Sequence, residues 1–236
     1  MLIDLKKNPF TYFKNLDKDG EIWAKPDGIS LHDHSFQVAE IADKLARNLY
    51  LHPRYEVYKN DFQKLIILAA YIHDAGKADK RWQEYIKDKN IQKPVIPHPL
   101  FSLPIAKHFL EENLIMSNPN AKSFFINLAL IAIATHHSPI SNEKYERYEN
   151  WEAEYCLPLK VTEKPYVLFH KAREDFLTSD TLYSKDKRYL YVLINGILSL
   201  SDWIASIGIQ FKELNSKEID KNIKKYFLEK KISPYY

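Results

Sequence analysis

The chain has 236 residues, 45% of them hydrophobic and 28% charged, a balance that supports a folded core and excludes a disordered polymer. Its 34 Lys and Arg against 31 Asp and Glu leave a formal charge of +3, too small to argue for a polyanionic partner and no argument against one. The longest strongly apolar stretch, Phe124 to Ala134, is broken by Asn127 and is too short to span a bilayer. The segment MLIDLKKNPF lacks the apolar region of a secretion signal, and the one cysteine, Cys156, allows no internal disulfide. A cytoplasmic protein without membrane association is expected.

Five glycines are few for a fold built on tight hairpins, and the apolar spacing points to helices instead. Val38, Ile41, Ala42, Leu45 and Leu49 recur at threes and fours, with Ser30 and Asp33 resembling a capping box ahead of them. A second helix is predicted from about Asp61, with Phe62, Leu65, Ala69 and Ile72 inward, stopping near Gly76. Lys93 to Pro99, with three prolines in seven residues, reads as a loop, and Pro104 should kink or delay the helix that follows. Pro119 after Asn118 opens a helix through Phe124, Leu128, Ile131 and Ala134 that is apolar on nearly every side, hence central. Ser138 to Asn142 reads as a turn. A helix from about Ser184 to Ile207 and a basic amphipathic one over about 216–231 complete an all-α chain, read as one domain over 1–236.

The histidines are informative by position. His32 and His34 stand at the mouth of the first long helix, His73-Asp74 ends the second, His98 lies among the prolines, and His136-His137 closes the central apolar helix. Asp202 interrupts a segment that otherwise looks buried. Buried carboxylates need partners, and a divalent cation would satisfy acids and imidazoles together. Such a mixed donor set suits Mn, Fe, Ni, Co or Zn better than Mg or Ca. Neighbouring helical side chains diverge by about 100°, so each doublet can converge on one centre only at a helix end or by serving two adjacent ions. Either doublet alone is weak, because a histidine at a helix C-terminus commonly complements the dipole. The ordered set carries the argument.

That order, His34, His73-Asp74 and Asp202, resembles the HD superfamily of metal-dependent phosphohydrolases, which are all-α bundles. With His98 and His136-His137, the segments IWAKPDGISLHDHSFQVAEIA, YIHDAGKADKRWQEYI, HPLFSLPIA, ATHHSPI and SLSDWIAS resemble the HD nuclease of the type I CRISPR interference machinery, over roughly Trp23 to Ser206. The resemblance implies one metal held by His34, His73, Asp74 and Asp202, and a second by His98, His136 and His137 with Asp74 bridging. It places Lys77, in HDAGK, near the scissile phosphate; an ordinary solvated lysine past a helix end is the alternative. One or two transition metals are expected, Mn, Ni, Co or Fe, with Mg left open. His34 is favoured over His32, because it directly precedes SFQVAE, and His98 over His108, because Ser102 follows it at the family's spacing.

The implied reaction is hydrolysis of single-stranded DNA, and of RNA if the site tolerates it, by two-metal activation of water. No G-x-x-x-x-G-K-[ST] motif is present, so ATP is not expected and strand separation falls to a separate helicase subunit working with an RNA-guided surveillance complex. Trp82 and Tyr85 could stack bases or pack on the core. Three other readings remain open on these residues: an HD phosphohydrolase acting on a nucleotide or cyclic nucleotide, a di-iron oxygenase, and a non-catalytic docking module with a structural metal.

Overall fold

The computed structural model describes residues 9–49, 51, 53–137, 148–159, 161, 163–178 and 187–207. Among these are eight α-helices: α1 Tyr12–Leu16, α2 Leu31–Arg47, α3 Lys59–Ile72, α4 Lys80–Lys87, α5 His98–Asn113, α6 Lys122–Thr135, α7 Pro165–Thr178 and α8 Lys187–Ser206. Three 3-10 turns, Pro53–Tyr58, Ala75–Ala78 and Pro119–Ala121, lead into or link them. Only isolated β-bridges occur among the described residues, so the architecture is all-α as the apolar periodicity predicts. The expected turn at Ser138 to Asn142 and the basic helix over about 216–231 lie outside the described residues. None of the helices is long and apolar enough to cross a membrane.

The two most apolar helices form the centre. In α3 every residue from Leu65 to Ile72 is buried, and in α6 every residue from Phe124 to Thr135 except Asn127. Helices α2, α5 and α8 pack on α3, while α5, α7 and α8 pack on α6, so the buried side chains make one hydrophobic cluster. A helix apolar all round can only be stable when neighbours cover every face. That arrangement also fixes where polar groups meet. His73-Asp74 and His136 are buried where α3 and α6 end, and His34, His98 and Asp202 are buried on the helices packed around them.

Local signals explain the boundaries. Ser30 Oγ accepts from Asp33 N at 3.0 Å and donates to the Asp33 carboxylate at 2.7 Å, starting α2 beside a negative charge that suits the helix dipole. Asn118 caps the Pro119–Ala121 turn through Asn120 N at 3.1 Å, and α6 follows at once. Two expectations need correction. His98 is not in a loop but is the first residue of α5, because Pro99 sits in the first turn, where proline's missing N–H costs nothing. Pro104 does not delay that helix, which runs on to Asn113 with the proline inside it. A third concerns Gly76. Helix α3 stops at Ile72, and Gly76 lies in the next 3-10 turn rather than acting as a left-handed C-cap.

Candidate metal centre

Both doublets use one device. The last turn of a helix leaves carbonyls without intrahelical donors. His73, the C-cap of α3, donates from Nδ1 to Ala70 O at 2.7 Å, and His136, the C-cap of α6, donates from Nδ1 to Ile133 O at 2.6 Å. Each ring thereby closes its helix and turns Nε2, with its lone pair, into the interior. This carbonyl-to-imidazole support is the usual outer-sphere arrangement of metal-binding histidines.

Asp74 lies between the two rings, with none of its surface exposed. Its two oxygens face different sets of imidazoles. Oδ2 is 3.3 Å from His34 Nε2 and 3.5 Å from His73 Nε2, while Oδ1 is 2.9 Å from His98 Nε2 and 3.9 Å from His136 Nε2. Asp202, from α8, brings Oδ1 to 3.1 Å of His34 Nε2 and Oδ2 to 3.9 Å of His137 Nε2. Two groups of donors result, each within 4.8 Å: His34, His73, Asp74 and Asp202, and Asp74, His98, His136 and His137. All seven residues expected as ligands are thus brought together, in the expected partition and with Asp74 common to both. His137 is the most exposed of them, with its side chain 39% exposed, so the second group has the open side.

A fit to cations follows from the unsatisfied atoms. His73 Nε2, Asp74 Oδ1, His98 Nε2 and His136 Nε2 are buried without a hydrogen-bond partner, even though His98 Nε2 and Asp74 Oδ1 lie close. Orphaned buried acceptors of this kind are costly, and a shared cation satisfies them at once. The protonation states agree. Burial, against the pull of Asp74, pushes His98 down to about 4, and burial followed by a neighbouring histidine pushes His136 and His137 down to about 3, so all three are neutral with free lone pairs at neutral pH. Burial alone would raise both acids, but His73 and Lys77 hold Asp74 well below the usual carboxylate range, and His34 and His73 do the same for Asp202. His73 moves the other way: Asp74 and Asp202 outweigh the desolvation that would lower it.

Lys77 is not the solvated lysine of the alternative reading. It is buried, and its Nζ donates to Asp74 Oδ2 at 2.6 Å. His32 stays outside the centre, with Nδ1 3.3 Å from Tyr71 OH, and His108 is exposed beside Glu112. Trp82 packs rather than stacks on solvent: its indole N–H donates to Ile96 O at 3.0 Å and its ring meets His98 edge-on at 4.8 Å.

The supporting residues were not legible as such. Ser102 accepts from Gly76 N at 2.8 Å and donates to His98 O at 3.1 Å, latching the first turn of α5 to the turn after His73-Asp74. Gln83 accepts from Trp23 N at 2.9 Å and donates to Trp23 O at 2.8 Å and Lys77 O at 2.7 Å. On α8, Tyr191, Asn195 and Ser199 follow one another at fours along the end of α6. They bond Thr135 Oγ1 at 2.8 Å, Ala132 O at 3.3 Å and His136 O at 3.1 Å. Polar residues at intervals of four on a largely apolar helix are the signal that could have found them.

The family model described as "Cas3, HD domain" matches residues 18–211. Among solved structures, the CRISPR-associated Cas3 HD domain protein of Methanocaldococcus jannaschii aligns with a TM-score of 0.49 and 16% identity, covering 75% of this chain and 98% of that one. No curated protein matches the chain. Since the family match spans the entire run from the turn before α2 to the end of α8, all seven donors included, the chain belongs to the Cas3 HD-domain family, the metal-dependent hydrolases of the type I CRISPR machinery.

Proposed function

We propose that this chain cleaves the phosphodiester backbone of single-stranded DNA during CRISPR interference, with two divalent cations held on the two donor groups. The observation that carries the reading is the buried Asp74, whose two oxygens face separate imidazole sets. A carboxylate placed so is suited to bridge two cations, which a single-ion structural site would not need. The candidate ligands are His34, His73, Asp74 and Asp202 for one ion and Asp74, His98, His136 and His137 for the other. Cations bound there supply Lewis acidity, lowering the pKa of water and offsetting charge on a phosphate. The nitrogen-rich set favours Mn, Ni, Co or Fe over Mg.

The chain's own residues do the rest. His73 and His136 each give Nδ1–H to a backbone carbonyl, which orients the ring and leaves Nε2 as the nitrogen that can ligate. Lys77 sets its Nζ against Asp74 Oδ2, beside the place where a pentavalent phosphate would gain negative charge. The open flank at His137 gives a polymer a route in. A helicase activity and an RNA-guided surveillance complex would deliver the single strand, since these 236 residues carry no phosphate-binding loop for ATP.

The test is cleavage of single-stranded, double-stranded and mononucleotide substrates with Mn, Ni, Co, Mg or EDTA, wild type beside Asp74→Ala. Metal-dependent cutting of the single strand, lost in the variant, is expected. Hydrolysis of a nucleotide with the polymer untouched would overturn the substrate while keeping the site.

A further inference from the structure

A second lysine reaches the centre from a distant part of the chain. Residues 22–30 form a tight turn, closed by Ala24 N donating to Ile29 O at 2.8 Å and Leu31 N donating to Ile22 O at 2.7 Å, with Gly28 at φ 86° where a side chain would be strained. Gln83 clamps this turn through both backbone groups of Trp23 while also holding Lys77 O, so the turn and the Lys77 segment move as one piece. The turn delivers Lys25 to the end of α8. There Nζ donates to Ser206 Oγ at 2.6 Å, and Ser206 Oγ donates to Asp202 Oδ1 at 3.2 Å.

Lys25 therefore stands two hydrogen bonds from Asp202, as Lys77 stands one from Asp74. Its partner is a neutral hydroxyl, and among the described residues no carboxylate ion-pairs with it. An ammonium has three donors, so two are left over. Burial and the charge of Lys77 both work against its protonated form, and Asp202 and Asp74 only partly compensate. Two ammonium groups beside one cluster are an arrangement that an added anion would relieve.

We propose that Lys25 is a second contact for the sugar–phosphate backbone of the substrate, gripping a phosphate that flanks the one under attack. The inference rests on the reading of a polymeric phosphodiester substrate. Lys77, bonded to the shared carboxylate, is placed for the scissile group. Lys25, set back behind Ser206 on the Asp202 side, is placed for its neighbour.

The experiment compares metal-loaded wild type, Lys25→Ala and Lys25→Arg on a single-stranded oligothymidylate, with cleavage kinetics and anisotropy read across a salt series. Metal content and thermal midpoint are measured on the same samples. For Lys25→Ala, KM should rise ~10-fold with kcat much less changed, as expected for loss of a charged hydrogen bond. Its log–log salt slope should become shallower by about 0.7, one phosphate contact on a single strand. Metal content should match wild type, and Lys25→Arg should regain most of the loss. Unchanged KM and slope in Lys25→Ala would overturn the inference. So would a fall in kcat together with lost metal, which would make Lys25 a support for Asp202. Wild type that binds its metals yet cuts no oligothymidylate would overturn the substrate reading itself, and this inference with it.

Discussion

Replacing Gly76 by alanine tests whether the close approach of two turns builds the centre. A Cβ on Gly76 would lie 2.0 Å from His98 O, 2.6 Å from Ser102 N and 2.8 Å from Phe101 C, all backbone atoms. No rotamer change can relieve those contacts. To reach ordinary separation the first turn of α5 would have to retreat by roughly 1.5 Å, since carbon contacts settle near 3.5 Å. Overpacking of this kind costs about 1–3 kcal/mol, and rigid backbone on the far side puts the expected value at the upper end. The retreat would also stretch the Gly76 N to Ser102 Oγ bond, now 2.8 Å, adding about 1 kcal/mol. His98 is carried by the same turn, so its Nε2 would leave Asp74 by more than the ~0.5 Å that a functional geometry tolerates. The assay is urea denaturation with metal analysis. Gly76→Ala should lose about 3–4 kcal/mol and retain metal at the His34, His73 and Asp202 side more readily than at the His98 side. Stability within about 0.5 kcal/mol of wild type with full metal content would refute the reasoning.

The same substitution at Gly196 should act with the opposite sign. This residue lies inside α8 with nothing within 4 Å of the added methyl, so denaturation should show a gain of about 0.5–1 kcal/mol. Ser102→Ala leaves the buried Gly76 N–H unpaired, and a loss of about 1–3 kcal/mol in the same assay is expected. Ser30→Ala removes the α2 cap and should lower stability by about 1 kcal/mol without altering metal content. Chelation should lower the thermal midpoint of wild type, and return of Mn or Ni should restore it, because ions bound only by the folded state stabilise it by mass action. An Asp74→Ala protein should show no such dependence on chelator.

Much of the centre could be read from residues alone, for a physical reason. Helices α3 and α6 are so apolar that the first titratable residues after them, His73-Asp74 and His136-His137, stand out and mark the helix ends. Asp202 stands out in the same way within α8. Where proline enters, the reading weakens. Pro97 and Pro99 suggest a loop around His98, yet a proline in a helix's first turn is at home there, and the two cases look alike in sequence. Gly76 shows a deeper limit. Its backbone conformation is ordinary, and what it needs is the absence of a side chain opposite α5, a requirement written in the packing of residues 26 positions apart. The contact between Lys25 and Ser206 spans 181 positions and leaves no periodic trace.

The span of the donors along the chain, from His34 to Asp202, has a consequence for assembly. No fragment of two or three neighbouring helices contains a full donor group, since Asp202 must come back to His34 and the end of α6 must reach His98. Closing such long loops is the slow, entropically expensive stage of folding. The group of His34, His73, Asp74 and Asp202 can therefore take up an ion only after the first and last described long helices, α2 and α8, have docked, which makes uptake there a late step and its rate a clock for completion of the fold. A cell that starves the protein of metal would accumulate chains that are folded but uncharged, rather than chains arrested halfway.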